Sequence, residues 1–243
     1  MTTEKSNINK IEKHFNKFDL HLHSKYSSCA VNEPKTIIKQ ALGHGLKGIA
    51  LTDHNTIKGW AELQRLCREN DLVFIPGQEI TATFQGKRLG HILALFTYDK
   101  IESFEIFDII DQAKSQAALL SIPHPFDFGR KFSGFELLSK DKSITKYIPA
   151  METFNSRVYN LKTNKKAEEF AKKNYMLQTA GSDAHMPHEI GNGYLIANAQ
   201  SETELLKEIK LGRVVVGGQL SGLVPKIQTL GAYLGIMRDN YFK

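Results

Sequence analysis

Six short stretches of this chain place residues able to ligate a cation where an apolar run gives way to a loop. The first is Asp19-Leu20-His21-Leu22-His23. Side chains alternate along a strand, so His21 and His23 project to one side. Two imidazoles two residues apart can share one borderline metal ion. Asp19 falls on the same side and can orient a ligand from behind. Next come Leu51-Thr52-Asp53-His54-Asn55, Gly77-Gln78-Glu79-Ile80 and Gly90-His91-Ile92. Ile122-Pro123-His124-Pro125 follows, its prolines stiffening the turn, and then Ala180-Gly181-Ser182-Asp183-Ala184-His185. A buried Glu79 would need a cation or a strong donor, and its two oxygens can bridge two ions. Each stretch alone also reads as a cap, a turn or a histidine satisfied by its neighbours. Recurrence at successive strand–loop junctions points instead to one metal-binding cluster.

The elements that must position these residues follow from hydrophobic periodicity. Strands are predicted at 17–22, 48–52, 72–76, 79–84, 89–96, 119–123, 147–154, 176–180 and 213–216. Helices are predicted at 34–45, 56–70, 103–116, 161–174, 202–211 and 227–239, with Pro34 near the start and Gly45 at the end of the first. Gly86 marks a turn, and 126–146 reads as a long loop. There is no internal repeat. Repeated strand–helix units predict a largely parallel sheet, with the chemistry where strands end and loops begin.

A chain of 243 residues suits one α/β barrel or two small domains. Its 41% apolar and 24% charged residues place it among ordinary globular proteins rather than disordered ones. Cys29 and Cys67 are the only two cysteines, which excludes a disulfide framework and fits a reducing, cytoplasmic setting. Residues 1–16 read as a polar extension without the apolar stretch of a signal peptide. No apolar run approaches the roughly 18 residues that would span a membrane, so no membrane partner is expected. The formal net charge of +6 reads as a lysine-rich solvated surface and also suits anionic substrates.

The ordered set DLHLHS, TDHN, GQE, GH, PHP and GSDAH resembles the polymerase and histidinol phosphatase (PHP) superfamily, from Asp19 to about Tyr194. Glu152-Thr153-Phe154-Asn155-Ser156-Arg157, followed by a helix and GSDAH, resembles small stand-alone members. The resemblance implies that 17–243 form one domain, a distorted (β/α)7 TIM-like barrel of PHP type. It also implies two or three divalent metal ions: zinc, manganese or iron. His21, His23, Glu79 and Asp183 would hold the first ion. Glu79 would bridge to a second, completed by His91 and His124, and His54 with His185 would hold a third. Members usually add an Asp or His a few residues after the paired histidines, where this chain has Ser28 and Cys29. Cys29 either substitutes as a thiolate or packs as a small residue.

That ligand set implies a metal-dependent phosphoesterase. Two ions about 3.5–4 Å apart can share a water and lower its pKa, and the hydroxide attacks phosphorus in line. The expected substrate is a small phosphate monoester or a nucleotide. His54, His185 or a water held by Asp53 can protonate the leaving oxygen. Arg157, Lys25 and Arg130 are the candidate substrate contacts, with Tyr26 and Lys131 beside them, and each also reads as an ordinary surface residue. The alternatives are an exonuclease-like phosphodiesterase acting on nucleic-acid ends or short oligonucleotides, a non-catalytic PHP module, and an amidohydrolase. The nearly complete ligand set argues against the module. The amidohydrolase would need a bridging carboxylated lysine, and no lysine stands at a strand end. No basic run exceeds the length of Lys165-Lys166, and aromatics do not interleave with basic residues, which disfavours a nucleic-acid partner.

Overall fold

The computed structural model describes residues 15–127 and 146–222. Arg130 and Lys131, most of the 126–146 loop, the helix predicted at 227–239 and nearly all of the 1–16 extension lie outside the described residues. Within them, nine strands form one sheet: β1 Asn16–Leu22, β2 Leu46–Leu51, β3 Val73–Phe84, β4 Lys87–Leu95, β5 Leu119–Ile122, β6 Ala150–Asn155, β7 Leu177–Gly181, β8 Gly193–Ala197 and β9 Val215–Gly218. Their order is β7-β6-β5-β4-β3-β2-β1-β8-β9. The helices are α1 Pro34–Gly43, α2 Trp60–Glu69, α3 Ile106–Ser115, α4 Leu161–Lys173 and α5 Glu202–Lys210.

The helices lie where their apolar faces require. Ile37, Ile38 and Ala41 of α1 and Leu63, Leu66 and Cys67 of α2 pack with Leu22, Ile49 and Leu51. Ile106, Ile109, Ile110 and Ala113 of α3 pack against Ile80, Ile92, Leu120 and Ile122. Side-chain caps start two helices: Asn160 accepts the Thr163 N–H before α4, and Ser201 accepts the Glu204 N–H before α5. None of the described helices is long and apolar enough to cross a membrane.

The sheet is mixed rather than largely parallel. The β1–β2, β2–β3, β5–β6 and β6–β7 pairs are parallel. The β3–β4, β4–β5, β1–β8 and β8–β9 pairs are antiparallel. The cause is local at β4. Gln85 and Gly86 both have positive φ, 52° and 73°, which makes a tight hairpin. β4 therefore returns beside β3 with no crossover helix. β3 is also one strand through Pro76 and Glu79, where two were predicted, and β8 was not predicted at all.

The sheet curls into a nearly closed barrel. Beyond β7 the chain runs beside the end of β1: Asp183 N–H donates to the His21 carbonyl at 2.6 Å, and His23 N–H donates to that of Ala184 at 3.0 Å. Two glycines allow this approach. A Cβ on Gly181 would stand 2.3 Å from the His21 Cβ, and one on Gly193 would stand 2.1 Å from the Gly181 carbonyl oxygen. Backbone cannot yield as a flexible side chain can, so Gly181→Ala is expected to destabilise the fold by about 3 kcal/mol or more. Urea unfolding checks this, and an unchanged midpoint would show that the seam between β1 and β7 is looser than it is drawn.

Candidate metal centre

Strand pleating and register bring the six stretches to one end of the barrel. His21 on β1 and His23 just past its end point inward and are fully buried. The segment after β2 runs beside β3, with Glu79 N–H donating to the Asp53 carbonyl and Asn55 N–H to that of Glu79, which sets His54 against Glu79. In the hairpin His91 faces Thr81, so it is the diagonal neighbour of Glu79. His124 and Asp183, at the ends of β5 and β7, have φ of 32° and 56°. Such left-handed backbone is uncommon outside glycine, and here it accompanies side chains aimed into the centre.

Glu79 lies in the middle. Its Oε1 is 3.0 Å from His91 Nδ1 and 3.3 Å from His124 Nε2. Its Oε2 is 3.2 Å from His23 Nε2, 3.3 Å from His54 Nδ1 and 3.4 Å from His21 Nε2. Asp183 Oδ1 adds a second carboxylate 3.4 Å from His23 Nε2 and 3.6 Å from His21 Nε2. Burial alone would push the Glu79 pKa up, but the surrounding His54, His91 and His21 hold it well below the usual carboxylate range. Burial likewise lowers His21, yet Glu152, Asp183 and Glu79 more than offset it and raise its pKa well above the ordinary histidine value. The cavity therefore favours positive charge, which a cation would supply in place of the inner ring proton. Burial takes His54 down to about 3 and His185 well below its ordinary value, so both are neutral bases near pH 7.

The groups behind the rings decide what they present. His21 Nδ1 lies 2.9 Å from Glu152 Oε1, an acceptor, so the ring proton sits there and Nε2 keeps its lone pair. The Ser27 hydroxyl donates to Asp53 Oδ1 at 2.9 Å and accepts the His54 N–H, leaving one lone pair for a proton on His23 Nδ1 at 3.3 Å. His23 Nε2 is then a lone pair too. The two Nε2 atoms are 3.2 Å apart and share their space with carboxylate oxygens of Glu79 and Asp183. Lone pairs and anions converging on one buried point suit a divalent cation, so the residues fit the metal that the fold implies. Three sets of donor atoms lie close enough to hold an ion: His21, His23 and Glu79; His54, Glu79 and His91; and His23, His54 and His185. The last set adds His23 to the pair that the sequence resemblance implied for a third ion.

Other candidate residues stand elsewhere. Asp53 does not face the centre: its oxygens accept from Ser24 and Ser27, so it acts behind His23. Asp19 accepts N–H groups of Ser182 and Gly191 and ties β1 to the segments around Asp183. Lys25 turns outward to Glu33 at 2.7 Å, and Tyr26 donates to Glu62. Arg157 is buried and pairs with Glu189 at 2.9 Å, while the same Glu189 oxygen accepts the His185 N–H. Cys29 is half-buried and belongs to none of the three donor sets; burial and nearby carboxylates push its thiol up to about 12.

Glu152 was not assigned a role from sequence. It is buried on β6, and its second oxygen accepts from His124 N–H and from the Asn155 amide. A glutamate inside the apolar run of β6 was the available signal. Glu152→Gln keeps an acceptor for His21 but loses the charge and sets an amide against other donors. Loss of such support typically costs about 10- to 100-fold in metal affinity. Metal titration of a variant with an unaltered melting temperature checks this; wild-type affinity would assign Glu152 to packing alone.

The PHP-associated family model matches residues 162–214. A two-domain protein of Bacteroides vulgatus containing a predicted PHP-like metal-dependent phosphoesterase shares the fold, with a TM-score of 0.70 at 18% identity. That likeness covers 84% of this chain, which spans 65% of that protein's chain. An uncharacterized protein of Methanocaldococcus jannaschii is 35% identical over 182 residues, covering 74% of this chain and 69% of that protein. The chain belongs to the PHP superfamily. The nearly closed mixed barrel is accordingly a PHP-type fold; Glu79 and His91 of its histidine and glutamate clusters stand within β3 and β4 rather than at the strand–loop junctions expected, because β3 runs on through the predicted break into the hairpin. Over a shorter span, a 5′-3′ exoribonuclease of Haemophilus influenzae is 36% identical to this PHP chain across 84 residues, 35% of this chain and 30% of that protein.

Proposed function

We propose that this PHP protein is a metal-dependent phosphoesterase that hydrolyses a small phosphate monoester or a nucleotide. The observation that carries the proposal is Glu79, with one oxygen among His21, His23 and His54 and the other between His91 and His124. That arrangement suits two divalent ions, zinc, manganese or iron, on either side of one carboxylate, and His54 with His185 and His23 suits a third. Bound ions would acidify a shared water and neutralise charge on the phosphoryl oxygens.

The chain's own residues supply the rest. His185 Nδ1 is held by the Asp183 carbonyl at 2.8 Å, so Nε2 is the atom that either ligates the third ion or, where no third ion binds, takes or gives a proton at the leaving oxygen. His54 is the more exposed of the two neutral rings and stands at the mouth, where it can exchange protons with solvent. Arg157, beside His185, orients the substrate anion through its planar guanidinium, and Glu189 holds it in place. The free thiols of Cys29 and Cys67 suit a cytoplasmic location.

The span shared with the exoribonuclease favours one second reading, an exonuclease-like phosphodiesterase acting on nucleic-acid ends. Elemental analysis of the purified protein, coupled to turnover of phosphomonoesters, nucleotides and short oligonucleotides on the same sample, separates the two. Phosphate release from monoesters or nucleotides supports the first reading, and stepwise shortening of oligonucleotides the second. A metal-loaded protein that turns over none of them sinks both.

A further inference from the structure

We propose that Arg88 gates the His91 side of the centre, keeping His91 from ligating until an anion draws the guanidinium away. The inference rests on the reading of the centre as a metal site and adds a residue that neither the ligand set nor the substrate contacts include.

The argument is one of hydrogen-bond polarity. For His21, His23 and His185 the outer ring nitrogen faces a group that accepts: the Glu152 carboxylate, the remaining lone pair of Ser27 and the Asp183 carbonyl. Each ring therefore carries its proton outside and a lone pair inside. His91 is wired the other way. Its inner atom is Nδ1, 3.0 Å from Glu79 Oε1, and its outer Nε2 lies 2.9 Å from Arg88 Nη2. A guanidinium has donors and no acceptor, so Nε2 must supply the lone pair. The proton of the neutral ring is then on Nδ1 and donated to Glu79. A neutral imidazole has one ring lone pair to offer, so His91 cannot bind a cation through Nδ1 while Arg88 stays in place.

Arg88 is able to move and has a reason to do so. It is exposed, three residues before His91 and next to the Gln85–Gly86 turn. A planar guanidinium forks onto phosphate oxygens better than onto one imidazole nitrogen. When it leaves, the His91 ring takes a proton from water at Nε2 and releases the one on Nδ1 to water. The ring's charge is unchanged, and its lone pair now faces Glu79 Oε1 and the centre. Anion and the His91-side ion therefore bind cooperatively, and by linkage each raises the affinity for the other equally.

The test is titration of the full chain with Mn²⁺, with and without inorganic phosphate, on the wild type, Arg88→Met and His91→Ala. In the wild type, phosphate is expected to tighten the weakest Mn²⁺ site by at least about 5-fold, the lower end of ordinary coupling. Arg88→Met should hold that ion tightly without phosphate and show no coupling. His91→Ala should lack both the site and the coupling. A second measurement needs no metal: ¹⁵N imidazole spectra of the apoprotein should show the His91 proton on Nδ1 in the wild type and on Nε2 in Arg88→Met. An Nε2-protonated His91 in the wild-type apoprotein overturns the gate. So does equal Mn²⁺ binding by wild type and Arg88→Met, which leaves the metal reading standing. Failure of all three proteins to bind Mn²⁺ overturns the gate and the proposed function together.

Discussion

Glu79→Gln is expected to keep the fold and lose bound metal and turnover together. The substitution preserves shape but removes the one charge that lies between both sets of imidazoles. Two unit charges about 4 Å apart interact by about 4 kcal/mol at an effective dielectric constant of 20. Since 1.4 kcal/mol is about tenfold, each divalent ion should lose at least about a thousandfold in affinity. The fold should survive because Glu79 also contributes through its backbone, in the ladder with β4 and in bonds to Asp53 and Asn55, and a glutamine keeps all of these. The measurements are metal content by elemental analysis, phosphate release and the circular dichroism spectrum. A variant that keeps its full complement of metal and its turnover would show that Glu79 does not bridge.

The ligand stretches were legible in sequence because they depend on rules that act locally. A period of two puts His21 and His23 on one side, and a polar residue closing an apolar run marks a strand end. The elements were legible for the same reason, to within a few residues. What sequence did not disclose depends on contacts between distant residues. Glu152 reaches His21 across 131 positions, and Ser182 meets Asp19 across 163. Arg88 was given no role from sequence: residues three apart on a regular strand face opposite ways, and the register shift that leaves Leu89 unpaired between Arg88 and Gly90 lets Arg88 meet His91. Arg157 also read as a surface residue, whereas the structure buries it against Glu189. The direction of β4 was in principle readable from Gln85-Gly86, but the repeated strand–helix pattern around it pointed to a parallel sheet. β8 escaped because five residues opening on Gly193 carry little periodic signal.

Asp183→Asn should separate the two sides of the centre that Glu79→Gln abolishes together. Asp183 Oδ1 lies near His21 Nε2 and His23 Nε2, and its other oxygen accepts the Asn155 amide at 3.2 Å. Its Oδ1 lies with the rings of His21, His23 and His185, whereas His91 and His124 lie at the Oε1 side of Glu79. The same charge arithmetic therefore applies to one ion only: a loss of about a thousandfold on the His21–His23 side, with the other side keeping its affinity. The backbone is not at risk from the exchange, since asparagine tolerates the left-handed conformation, at φ 56°, that Asp183 already adopts. The Asp183 N–H bond to the His21 carbonyl that closes the barrel does not involve the side chain. The expected result is a folded protein holding at least one ion fewer than wild type, with turnover close to background because the water would no longer be shared between two cations. Isothermal titration with Mn²⁺, alongside Glu79→Gln, checks it. Equal loss of every ion in the two variants would mean that the carboxylates act on a single site, and that the two sides of Glu79 do not bind independently.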